Sequence, residues 1–156
     1  MTIGQAEIWY NKADNYVYPL VPPEQVFDEN RLSFRMTSFQ ENLANIERVY
    51  ELFAANNSKG HVVISFSSVP LRATFRDMNA VTANTASKSM LRAVIDAFAE
   101  AHSDRVTYFP AYEIVTVLQG TPFEDDNRHV KPEAVDKIML LFECWFVAQQ
   151  PIAALD

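Results

Sequence analysis

Cysteine occurs once, at Cys144, and glycine three times, at Gly4, Gly60 and Gly120, in a chain of 156 residues. A single cysteine excludes an intrachain disulfide and fits a reducing compartment. It sits in the apolar run "IMLLFECWFV", where it reads as a small buried hydrophobe. So few glycines leave no Gly-rich loop to cradle phosphate, and nothing points to a nucleotide cofactor. Basic residues are also short, with 13 Lys and Arg against 20 Asp and Glu, a net charge of −7, and no two basic residues adjacent. Nucleic acid is therefore not an expected partner, since phosphate binding needs a clustered positive surface. His61, His102 and His129 are far apart and show no metal-ligand spacing, so neither a metal nor any other cofactor is expected. No apolar run approaches the ~20 residues of a membrane span. The start "MTIGQAEIWYNK" has neither the basic nor the apolar region of a signal peptide. The expected location is the cytoplasm.

What is present is an ordinary globular composition, 49% hydrophobic and 21% charged, in a length that suits one domain with a core of its own. Residues 2–10 read as strand, and "WYNKADNYVYPL" as a hairpin turning at Lys12–Asn15. Pro22 and Pro23 make "VPPEQVFDENRL" a loop. Ser38 and Glu41 form a capping box. Behind it Leu43, Ile46, Val49, Tyr50 and Phe53 recur at helical spacing, and a left-handed cap is expected at Asn57 or Gly60. "HVVISF" reads as a buried strand and "SSVPLRATFRDMN" as a loop. A second helix runs from Asn84 or Ser87 to His102, and "RVTYF" is a strand closed by Pro110. Residues 111–131 are mostly loop with a helical turn at 112–118, and a last helix starts near Pro132. This alternation predicts an α/β fold, a parallel sheet with helices on its faces. Sites in such sheets lie beyond the carboxyl ends of the strands.

Asp126 and His129 form the best chemical candidate, because a base that activates a hydroxyl needs a carboxylate to orient its second ring nitrogen. Spacing alone favours a solvated loop whose acids face water, since D-x-x-H fixes only two letters. Ser67 and Ser68 end the strand "HVVISF" with hydroxyls that either enter a crevice or, the preferred reading, satisfy backbone groups before Pro70. Ser87 and Lys88 do not make a Ser–Lys pair, because helix neighbours diverge; Ser87 reads as a cap or first-turn residue. Tyr112 and Glu113 suit site-lining and packing equally well.

Five ordered stretches, "TIGQAEIWY", "FRMTSFQENLANIERVYELF", "VVISFSSVPLRATFRDMNAVTANTASKSMLRAVIDAF", "YFPAYEIV" and "EDDNRHVKPEAVDKIMLLF", span nearly the whole chain. Together they resemble the GSCFA family, itself similar to the SGNH/GDSL hydrolases. The resemblance implies a three-layer, flavodoxin-like fold and an acyl esterase mechanism through an acyl-serine. Asp126 would be the orienting acid and His129 the general base, with Gly4, Glu7, Ser67, Tyr112 and Glu113 as candidate site-lining residues. The substrate it implies is a carbohydrate or lipid ester. The chain departs from the pattern where the nucleophile belongs. No G-S-C-F-A stretch occurs, Ala6 of "GQAE" stands where relatives place an oxyanion-binding Asn, and Ser68 stands where relatives tend to have Pro. The expectation is a single incomplete domain over 1–156, truncated at its N-terminus, with a hairpin insertion about 8–20 and no activity of its own. Its strand near residues 2–9 would carry an unpaired edge, which predicts a homo-oligomer or a partner chain. The alternative is a non-catalytic interaction module that uses that edge.

Overall fold

"HVVISF" and "RVTYF" are β-branched and aromatic runs bounded by turn signals, and each forms a strand buried on one face. In the computed structural model, which describes residues 1–118 and 120–147, β1 (Thr2–Ile3), β5 (Val62–Phe66) and β6 (Val106–Phe109) make a parallel sheet in the order β1-β5-β6. Thr2 lies opposite Ser65, and Ser65 opposite Phe109. Parallel neighbours need long crossovers, and helices supply them. Helix α1 (Phe39–Asn56) precedes β5, and α2 (Ala80–Ala101) joins β5 to β6. Alternation along the strands sends Ile64, Phe66 and Val106 into a core with Ile46 of α1 and Leu91, Val94, Ile95 and Phe98 of α2. The opposite face carries Phe109, whose ring lies 5.3, 5.6 and 6.0 Å from Phe142, Trp145 and Phe146 of α4 (Pro132–Phe146). Between β6 and α4, a short helix α3 (Ala111–Glu113) continues as a π-helical turn, Ile114–Leu118.

A second, antiparallel sheet has the order β3-β2-β4, from β2 (Glu7–Asn11), β3 (Val17–Tyr18) and β4 (Leu32–Met36). The hairpin expected at 8–20 is β2–β3, with Asn15 in its turn at φ 57°. Strand β4 was not expected, and it carries the insertion on to Met36. The run 2–10 is also not one strand. It breaks at Gly4–Ala6, where Thr37 grips the Ala6 carbonyl with its amide at 2.7 Å and its hydroxyl at 2.9 Å. The unpaired edge is therefore confined to β1, because β2 has neighbours on both sides.

Four further expectations change. Ser38 accepts from the Glu41 amide at 3.1 Å as a cap should, but the Glu41 carboxylate pairs with Arg35 at 2.6 and 2.7 Å. Neither Asn57 nor Gly60 is left-handed: Asn57 has φ −144°, and among the described residues no glycine has positive φ. Gly60 is needed for closeness instead, since a Cβ there would lie 2.4 Å from Phe53 Cζ. Helix α2 starts at Ala80, earlier than expected, because Asn79 caps it by accepting from Thr82 at 2.8 Å. Cys144 is a free thiol of intermediate exposure rather than a buried one. Among the described residues no helix is long and apolar enough to cross a membrane. The tail 148–156 of the expected domain lies outside the described residues.

The cap gives a direct test. Ser38→Ala should cost about 1 kcal/mol, read as a lower urea midpoint at unchanged slope. Glu41→Gln, which removes a partly exposed ion pair, should cost less than about 1 kcal/mol.

Candidate functional site

The segment from Pro122 to Lys131 closes on itself as a small hairpin. Lys131 donates to the Pro122 carbonyl at 2.8 Å, Glu124 to the His129 carbonyl at 2.8 Å, and Phe123 bridges Val130. Its turn needs a left-handed residue, and Asn127 supplies it at φ 55°, a conformation asparagine tolerates. That turn aims two amides at one carboxylate. Asp126 Oδ1 accepts from the Arg128 amide at 2.9 Å and the His129 amide at 3.0 Å, while Oδ2 takes a close contact from Nδ1 of the His129 ring. The two amides, helped by the ring, hold the Asp126 carboxyl down to about 2. With Nδ1–H given to the carboxylate, the acceptor lone pair of a neutral ring is on Nε2. Nε2 has no hydrogen-bond partner among the described residues, and the side chain is 71% exposed.

His129 stands at a cleft of about 590 Å³ between the second face of the parallel sheet and α4. Val63, Ser65, Ser67 and Ser68 line its sheet side, and Ile138, Met139 and Phe142 its helix side. The expected pairing of Asp126 with His129 is thus present, and Ser67 and Ser68 share the cleft with them. Ser67 Oγ accepts from the Val69 amide at 3.3 Å, and neither serine hydroxyl is hydrogen-bonded to His129 among the described residues. Arg128 Nε reaches the Pro70 carbonyl at 3.5 Å, joining the His129 loop to the segment after β5.

Gly4 leaves β1 beside Ser67, so close that a Cβ on it would lie 2.9 Å from Ser67 Cβ. Both turns are held by one side chain, Lys88, weighed from the sequence only as a partner for Ser87. Lys88 Nζ donates to the Ser67 carbonyl at 2.6 Å and the Gly4 carbonyl at 3.2 Å, and lies 4.8 Å from the centre of the Phe66 ring. It is only 5% exposed and has no carboxylate partner among the described residues. Burial lowers its pKa from 10.5 to about 8. Ser87 is buried beside it in the interior of α2, correcting its assignment to a cap or first turn. A signal for Lys88 was available: positions 88, 91, 95 and 98 fall on one helical stripe, so Lys88 shares the inner face with Leu91, Ile95 and Phe98.

The GSCFA family model matches residues 1–142. The chain belongs to the GSCFA family. No curated protein and no solved structure gives a match. The GSCFA match takes in both sheets, Lys88, Asp126, His129 and most of α4.

The other candidate residues lie elsewhere. Ala6 is sealed in the core. Glu7 is away from the His129 cleft, with its carboxylate accepting from Thr74 Oγ1 at 3.0 Å and lying 3.8 Å from Arg76. Tyr112 packs its ring 4.9 Å from Phe66. Glu113 accepts from the Tyr108 hydroxyl at 2.7 Å and from Arg92 Nε at 2.9 Å, tying α3 to α2 and β6. Burial pushes the Glu113 carboxyl up, yet the bonds from Tyr108 and Arg92 leave it lowered, while burial and Glu113 together raise Tyr108. Among the described residues no cluster of His, Cys, Asp and Glu could hold a metal.

Two pH measurements check this electrostatic picture. The Asp126 carboxyl carbon should titrate near pH 2 rather than at its ordinary 3.8. Its contribution to stability is then complete above 3.8 and lost as pH falls through about 2. Lys88 has a lowered pKa, so between about 8 and 10.5 the unfolded chain binds more protons than the folded one. Stability from this group should therefore rise with pH across that window. In Lys88→Met the rise should be absent, as urea denaturation at a series of pH values would read.

Proposed function

We propose that this GSCFA-family chain carries the acid–base pair of an SGNH-like acyl ester hydrolase. The observation that carries the reading is the Asp126–His129 contact, which commits Nδ1 to the carboxylate and leaves Nε2 without a partner among the described residues, beside the cleft. In that chemistry Nε2 takes the proton of an attacking hydroxyl as its oxygen bonds to the ester carbonyl carbon. The resulting imidazolium, stabilised by Asp126, returns the proton to the leaving alcohol. Water then repeats the sequence on the acyl-enzyme and releases the acid. The finer fold we read is three-layer and flavodoxin-like, with α1 and α2 on one side of the sheet and α4 on the other. The domain is incomplete in this reading. The serine arrives on a segment that pairs with the free side of β1, and the substrate is an ester of a carbohydrate or lipid.

Two experiments test it. Nitrogen NMR of the His129 ring should show the Nδ1–H tautomer in the neutral form, and Asp126→Ala should release it. An Nε2–H tautomer in the native chain would sink His129 as the base. The chain alone should leave 4-nitrophenyl acetate unhydrolysed above buffer. Turnover that persists in His129→Ala would falsify the hydrolase reading, whereas turnover lost in both His129→Ala and Ser67→Ala would make Ser67 the nucleophile. Once a serine is supplied, His129→Ala should lower kcat by roughly 10⁴-fold or more.

The free side of β1 also supports a second reading, an interaction module that uses this edge. Met139, Leu140, Trp145 and Phe146 are exposed on α4, which suits a copy of the chain or a partner settling over that face. Light scattering after size exclusion should then give a mass above that of one chain. A stable monomer at high dilution would count against it.

A further inference from the structure

The ladder between β1 and β5 runs out at a point that sets the direction of one peptide group. Ser65 and Ser67 donate their amides to the Met1 and Ile3 carbonyls, each at 2.8 Å, so the amide and the carbonyl of Ser67 both face β1. A longer β1 would answer the Ser67 carbonyl with the Gln5 amide. Strand β1 ends at Ile3 instead, and Lys88 Nζ takes that carbonyl at 2.6 Å. The peptide joining Ser67 to Ser68 is trans, so the Ser68 N–H points the opposite way, away from β1 and toward β6. There β6 has ended at Phe109, and Pro110 and Ala111 turn off into α3. The Ser68 amide consequently has no hydrogen-bond partner among the described residues. It is not sealed in the core, because Ser68 lines the cleft together with Ala111 and His129.

We infer that the Ser68 amide is the anion donor of this cleft, and that Lys88 is the residue that positions it. In the ester chemistry the donor holds the carbonyl oxygen, a role that rests on the hydrolase reading above. As the attacking hydroxyl oxygen bonds to the carbonyl carbon, the π pair moves onto the carbonyl oxygen, and the hydroxyl proton goes to His129 Nε2. The new negative charge then meets an N–H that is already in place. The acid released carries the same charge, so a small monocarboxylate is the ligand class for the free site. Three features favour an anion here. The ammonium on the Ser67 carbonyl polarises the peptide that carries the N–H. That ammonium has no carboxylate partner among the described residues, so its charge acts on the cleft without being neutralised. No Asp or Glu lines the cleft among the described residues, and Asp126 is committed to His129.

Proton–nitrogen NMR during a titration with sodium acetate, against sodium chloride at equal ionic strength, reads this amide directly. At neutral pH, where Lys88 is still charged, the Ser68 amide proton should move downfield to saturation with a Kd below roughly 20 mM. Ser68→Ala keeps the N–H and should bind within about threefold of the native chain. Ser68→Pro removes the N–H and should abolish saturation, followed through the Val69 amide. Lys88→Met should weaken acetate by about tenfold and move the Ser67 carbonyl carbon upfield, with the His129 tautomer unchanged. If that variant does not fold, the two Ser68 variants decide alone. The inference is overturned if acetate does not saturate, if chloride shifts the amide equally, or if Ser68→Pro binds as well as Ser68→Ala. Acetate binding combined with the Nε2–H tautomer of His129 would keep the anion site and discard the hydrolase. No binding combined with the Nδ1–H tautomer would remove the donor and leave the acid–base pair standing.

Discussion

The carbonyls of Gly4 and Ser67 lie where β1 and β5 leave the parallel sheet, and both receive hydrogen bonds from a single buried ammonium, Lys88 Nζ. Bringing that charge under cover without a carboxylate is costly, and the lowered pKa records the cost. The return is geometric. One donor group on a rigid helix fixes two turns relative to α2, and the contact between Gly4 and Ser67 fixes them relative to each other. The cleft begins at Ser67 and the second sheet begins just beyond Gly4. The cleft and the second sheet are therefore referenced to the same amine.

What was legible in the sequence was local. The Ser38 cap, the hairpin turn at Asn15, the start of α4 at Pro132 and the Asp126–His129 contact all join residues within a few positions of one another. What was hidden depends on distant partners. Strand β4 gains its identity from pairing with β2 across a proline-containing loop, and five alternating residues do not announce that. Glu7 finds Thr74 and Arg76, which no spacing rule connects. Tyr112 and Glu113 could be resolved only once Phe66 and Arg92 were placed beside them.

Lys88 is a different case, because its helical stripe was visible but the residue was weighed only as a partner for Ser87. A lysine is ordinarily expected to face water. That expectation holds for most lysines. It fails where a strand end offers carbonyls that no strand neighbour meets.

The two faces of the parallel sheet differ in a way that bears on the cleft. Parallel sheets are normally covered on both faces and apolar on both, and the α1–α2 face obeys this with Ile64, Phe66 and Val106 in the core. On the other face Thr2 Oγ1 and Ser65 Oγ form a hydrogen bond at 2.8 Å, and both residues line the cleft. An apolar layer laid over that pair would bury two hydroxyls whose remaining hydrogen-bonding capacity it could not meet. Val63, Ile138 and Phe142 make the same space partly apolar. The combination suits a contact that brings its own polar groups, such as a hydroxyl-bearing strand or an ester, better than it suits plain hydrophobic cover. The open face thus argues for a reactive or recognition surface on chemical grounds that are independent of His129.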